Sequence, residues 1–202
     1  MKKLLYLLLL TPIIYLTSCS KSSSAPEVLY GCTDTSAINY DTLANTNDSS
    51  CIAIGYTYQG GIIFYLDGNG GGLIAAPSDQ SPHEEWGCYG TSVAGADGTA
   101  IGTGAQNTID ILNGCSQAGT AADICANLTL GGYSDWFLPS KDELNQIHIN
   151  LYSQELGGFA NSHYWSSTET GFYNSWLQNF TNGYQDYTNK NHTYYVRAVR
   201  AF

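Results

Sequence analysis

Six cysteines are the most reactive side chains in this 202-residue chain: Cys19, Cys32, Cys51, Cys88, Cys115 and Cys125. Thiols can pair, hold zinc or act as nucleophiles. No C-x-x-C pair occurs and only His83 lies near a cysteine, so zinc is the weaker reading. Disulfides fit better and place the chain in an oxidising compartment. Cys32 and Cys51 would close a short segment. Further on, Cys115 with Cys125 is the simplest local pair and leaves Cys88 over. Bridges Cys88–Cys115 and Cys88–Cys125 stay open as alternatives.

Oxygen ligands are dense between the first two of those cysteines. Asp34, Asn39, Asp41, Asn45, Asn47 and Asp48 offer hard donors at short spacing, the chemistry calcium requires. Turns favour the same residues, and that reading competes with calcium. Carboxylate pairs Glu84-Glu85 and Asp142-Glu143 are adjacent in sequence, so they do not face one substrate as an acid and a base. His148 stands alone beside an apolar stripe. Late in the chain Phe172, Tyr173, Tyr184, Tyr187 and Tyr194 form a run of aromatics that can stack on sugar rings or anchor a partner, although tyrosine also simply populates strands.

The elements that must position these groups follow from turn residues and periodicity. Residues 30–52 form a small Asn/Asp-rich module that needs a disulfide staple to hold. Residues 55–202 form the main domain. Its opening reads as a hairpin: strand 61–66, turn Asp67-Gly68-Asn69-Gly70-Gly71-Gly72, strand 73–77. The turn has half the look of a calcium loop but lacks the terminal Glu, and Gly102-Thr103-Gly104 lacks the lysine of a phosphate loop. A helix is expected over 104–113 with Ala105, Thr108, Ile109 and Leu112 on one face, and a shorter one over 121–128. Ser140 and Glu143 make a capping box for a helix over 141–152, with Leu144, Ile147 and Leu151 inward. Strands are expected at 164–167, 175–180, 183–187 and 194–200, with Asn182-Gly183 in a hairpin turn. Hairpin, helices, then antiparallel strands make an α+β domain.

The N-terminus carries Lys2 and Lys3, then an apolar run from Leu4 to Leu16, about 13 residues against the ~20 a spanning helix needs. Leu16-Thr17-Ser18-Cys19 resembles the lipobox of bacterial lipoproteins. The resemblance implies a signal peptide over 1–18, cleavage before Cys19, and lipid on the Cys19 sulfur, with residues 19–29 as a polar tether. That places the chain at the bacterial cell envelope, lipid-anchored to a membrane and facing periplasm or exterior. The N-x-S/T triplets at Asn47, Asn127, Asn179 and Asn191 are then chance rather than glycan sites.

Three blocks carry a second resemblance. Gly131-Gly132-Tyr133-Ser134-Asp135-Trp136-Phe137-Leu138-Pro139-Ser140 with Glu143-Leu144, then Tyr164-Trp165-Ser166-Ser167-Thr168-Glu169, then Trp176, Phe180 and Gly183, resemble the Lcl C-terminal domain family. Tyr195-Val196-Arg197-Ala198-Val199-Arg200 resembles its closing strand. The likeness spans roughly residues 56–202. It implies a fold similar to the sulfatase-modifying, C-type-lectin-like domains: short antiparallel strands, two or three short helices and long loops. The family's namesake is a collagen-like adhesin whose domain binds sulfated glycans, but no Gly-x-y stalk is present here. Formylglycine-generating oxidases share the broad fold and need a late cysteine pair, whereas no cysteine follows Cys125. Arg197 and Arg200 in the closing strand are placed to form forked bonds to Asp135 or Glu169.

From Cys19 onward five basic residues face 17 acidic ones, a formal charge of −12. This argues against nucleic acid and against a polyanion held mainly by charge. The expectation is a non-catalytic binding or adhesion module that recognises a glycan or a surface protein, with a structural envelope component and an oxidase-like enzyme as alternatives.

Overall fold

Two segments too short to make a sheet alone, Tyr30–Gly31 (β1) and Thr46–Asn47 (β2), pair in parallel beside a Cys32–Cys51 disulfide. The computed structural model that shows this describes residues 26–202. The signal segment, Cys19 and most of the tether lie outside the described residues. Among the described residues no helix is long and apolar enough to cross a membrane. Cys32, Ala37, Cys51 and Ala53 form the module's only buried apolar cluster, so the covalent staple compensates for a core that is too small.

The main domain opens with Thr57–Tyr58 (β3), Gly61–Leu66 (β4) and Gly72–Ala75 (β5). Asp67 shapes the expected turn between the last two, its Oδ1 accepting the N–H of Asn69 at 2.7 Å and of Gly71 at 3.0 Å. Ser81–Glu85 (β6) follows and was not expected. It carries Pro82 and no apolar alternation, which fits its place as an edge strand.

Three helices come next: Gly104–Gly114 (α1), Ala121–Ala126 (α2) and Lys141–Asn150 (α3). α3 has the expected capping box, and Leu144, Ile147 and Leu151 are fully buried. Each such burial stabilises by roughly 1.5–3 kcal/mol. α1 forms where expected but presents a different face. Ile109 and Leu112 are exposed, while Asn107, Thr108 and Ile111 are buried. The inward face is polar because it is fully bonded: Asn107 donates to the Gly98 carbonyl at 2.7 Å, and Thr108 Oγ1 accepts the Leu138 N–H at 3.0 Å. Burying bonded polar groups avoids the desolvation cost that would otherwise turn the helix over.

Five strands complete the domain: His163–Glu169 (β7), Asn174–Asn179 (β8), Gln185–Asn189 (β9), Thr193–Val196 (β10) and Val199–Ala201 (β11). They form two sheets, ordered β6-β10-β7-β8-β9 and β11-β5-β4-β3. The single closing strand expected over 194–200 is two strands in different sheets. Arg197 sits at the crossing, fully buried. Its Nε donates to Asp79 at 2.7 Å and its Nη1 to the carbonyls of Ala76 and Gly157, with the Phe159 ring beneath. The mixed sheets and short helices give the α+β architecture.

Candidate functional site

Polar residues of β7 tie the glycine-rich segment 86–104 to the domain. Thr168 Oγ1 donates to the Gly98 carbonyl at 2.8 Å and accepts the Lys141 N–H at 3.0 Å. Glu169 accepts the Val93 N–H at 2.9 Å and the Ser92 hydroxyl, and pairs with Lys190. Lys190 is buried, its ammonium over the Trp86 ring and bonded to the Thr91 carbonyl at 2.8 Å. Burial pulls the Lys190 ammonium below its usual range, against the opposing effect of Glu169. Arg197 therefore pairs with Asp79 rather than with Glu169, and Arg200 takes Asp135, as its spacing allowed.

Glu143 is fully buried, and burial raises its carboxyl above the ordinary value although three backbone donors oppose the rise. Those donors are Ser140 at 2.7 Å, Gly102 at 2.8 Å and Gly104. The Gly102-Thr103-Gly104 loop thus cradles an anion after all, namely the protein's own carboxylate. A Cβ on Gly104 would collide with Glu143 Oε2.

The cysteines correct one expected pairing. Cys88 pairs with Cys115, and Cys125 is a buried free thiol. Cys125 faces inward from α2 into the apolar cluster around Trp86 and Trp136, and burial pushes its thiol strongly upward, which leaves it inert. The residues of the expected calcium set make local bonds. Asp34 bonds Ser36 and Tyr56, Asn39 bridges Ser50 and Ile52, Asp41 caps Leu43, and Asn45 bridges Glu27 and Leu29. Asn47 and Asp48 accept from Ser49 and Ser50. These are local turn bonds, and among the described residues no group of three or more His, Cys, Asp or Glu side chains converges to hold a metal.

The expected aromatic set divides in two. Phe172 and Tyr173 lie in the turn before β8, exposed, and Tyr173 packs on Tyr89 at 5.2 Å between ring centres. Tyr184, Tyr187 and Tyr194 line a groove of about 290 Å³ on the five-stranded sheet. Tyr184 is 74 % exposed at the tip of the β8–β9 hairpin. Tyr194 lies deeper, flanked by His163 at 5.3 Å and His192 at 6.2 Å, with Trp165 behind it at 5.1 Å. Asn179, Asn182, Asp186 and Thr188 supply the polar wall. None of these four polar residues, nor His163, was anticipated. The alternation of Tyr184 at the hairpin tip with Asp186 and Thr188 in β9 was the available signal. No Lys or Arg lines the groove. His148, near the same hairpin, is a packing residue between Tyr152 and Phe180.

This arrangement can stack a flat ligand and bond its hydroxyls, and the Thr188 hydroxyl on its wall lies 3.0 Å from His192 Nδ1. Comparison with curated proteins finds no match. The model of the Lcl C-terminal domain matches residues 78–200, from just before β6 to the middle of β11, somewhat less than the span of the sequence likeness. With the match covering more than half of its length, the chain belongs to the Lcl C-terminal domain family.

Proposed function

We propose that this chain is a non-catalytic binding module, held at the bacterial cell envelope by lipid on Cys19, that recognises a glycan or a surface protein. The groove beside Tyr184 and Tyr194 carries the reading: an exposed aromatic platform with unspent polar groups is how such modules grip a ligand. The resemblance of the sequence blocks to a family similar to C-type-lectin-like domains is in keeping with it. A formylglycine-oxidase role finds no carrier among the described residues, because four cysteines are paired and Cys125 is buried. A purely structural envelope role leaves the groove without a purpose.

The exported chain, purified in mild detergent, is tested on arrays of glycans and of bacterial and host surface proteins, with calcium and with chelator. Binding that survives chelation fits the turn-bonded Asp and Asn residues. Absence of binding to either array, with a normal melting transition, would sink the reading. Cys19→Ala should move the protein from the membrane to the soluble fraction, and retention on the membrane would overturn the anchor.

A further inference from the structure

Resting on that reading of the groove, we propose that its ligand is an uncharged saccharide, stacked on Tyr184 and held through its hydroxyls by Asp186, Asn179 and Asn182. Local turn bonds hold the polar wall in place. Asp186 Oδ1 accepts its neighbour Tyr187's N–H at 2.8 Å, Asn179 Oδ1 accepts Thr181 N–H at 2.9 Å, and Asn182 Oδ1 accepts Tyr184 N–H at 3.0 Å. In each side chain one atom is pinned to backbone. The other atom, Asp186 Oδ2 and the two Nδ2 groups, has no partner among the described residues. Three side chains are therefore fixed at one end and open at the other, offering one strong acceptor and two donors around an exposed ring. A sugar hydroxyl is both donor and acceptor, so a carboxylate and amides together satisfy a row of hydroxyls, while the C–H face of a pyranose covers the tyrosine. Fixing the polar groups beforehand lowers the entropy lost on binding.

Charge decides against an acidic or sulfated ligand. Asp186 repels it, and the groove has no Lys or Arg. The four basic residues of the described chain are engaged elsewhere: Lys141 over the Trp176 ring, Lys190 with Glu169, Arg197 with Asp79 and Arg200 with Asp135. The sulfated glycans of the family's namesake therefore do not fit this member.

The test uses the exported chain against immobilised neutral oligosaccharides (gluco-, manno- and galacto-configured) and against heparin and chondroitin sulfate, at low and high salt. Binding to at least one neutral glycan is expected, insensitive to salt and weakened about tenfold or more by Tyr184→Ala and by Asp186→Asn. Asp186→Asn is isosteric and exposed, so it keeps the test valid if Tyr184→Ala alters the hairpin, which unchanged melting would exclude. Salt-sensitive binding to the sulfated polymers alone overturns this inference and leaves the broader function standing. Neutral binding that both variants leave intact overturns the site. No glycan binding together with capture on the protein array also overturns the inference, whereas silence on both arrays defeats the proposed function itself.

Discussion

Replacing Glu143 by alanine removes the side chain on which the N-terminus of α3 and the approach to α1 both close. The carboxylate accepts the backbone N–H groups of Ser140, Gly102 and Gly104 in a fully buried position. Each donor left without a partner costs ~1–3 kcal/mol, and relief of the buried charge returns part of the sum, so Glu143→Ala should lose about 3–5 kcal/mol. That is a large share of the ~5–15 kcal/mol that holds a domain folded. Glu143→Gln keeps the shape and one acceptor but turns an amino group toward backbone donors, a loss of about 2 kcal/mol. The pH dependence gives a second handle. Burial holds the folded-state pKa above the ordinary 4.5. Between the two values the folded chain keeps a proton that the unfolded chain has released. Stability from this group therefore falls as pH rises through that window and is level above it. Glu143→Gln lacks the slope, so the gap between the parent and this variant should widen as pH falls. Urea unfolding followed by tryptophan fluorescence, from about pH 4 to about pH 7, measures both effects. A loss below about 1 kcal/mol for the alanine variant, or a gap that narrows on acidification, would refute the reasoning.

Lys190→Met strands Glu169 in the interior and should cost about 3–5 kcal/mol, while adding Glu169→Gln should recover part of it; a double-mutant cycle without coupling would contradict a buried pair. In a Cys19→Ala background, unreduced protein should take up no thiol reagent when native and label at Cys125 alone in urea; labelling of the native chain would show that α2 opens. Gly183→Ala puts a side chain at φ +77° and its Cβ 2.8 Å from the His148 ring, so it should destabilise by about 1–2 kcal/mol, read as a lower melting temperature.

What the chain reveals before folding is what its local bonds decide. Ser140 and Glu143 are three residues apart and cap one helix wherever it sits; Asp67 and its glycines make one turn. What stays hidden depends on distant partners. The inward face of α1 is set by Gly98, Leu138 and Ser167, residues that periodicity cannot weigh. Cys88 reaches Cys115 across the glycine-rich segment, so proximity in sequence favoured the wrong neighbour, Cys125. The aromatic run divides because the six residues of β8 separate Tyr173 from the next hairpin tip, a span of about 20 Å. The groove was legible in part: three of its tyrosines were nominated, but its polar wall emerges only when β7, β8, β9 and β10 lie side by side.

The crossing at Arg197 also governs when the domain can fold. β10 sits between β6 and β7, and β11 lies against β5, so residues 193–201 supply an interior strand to one sheet and a border to the other. Neither sheet closes before that stretch has been synthesised, and its contacts with β5, β6 and Asp79 span most of the domain's length. Pairings of such high sequence separation form slowly. The nascent polypeptide consequently acquires its rigid form only after the closing residues arrive.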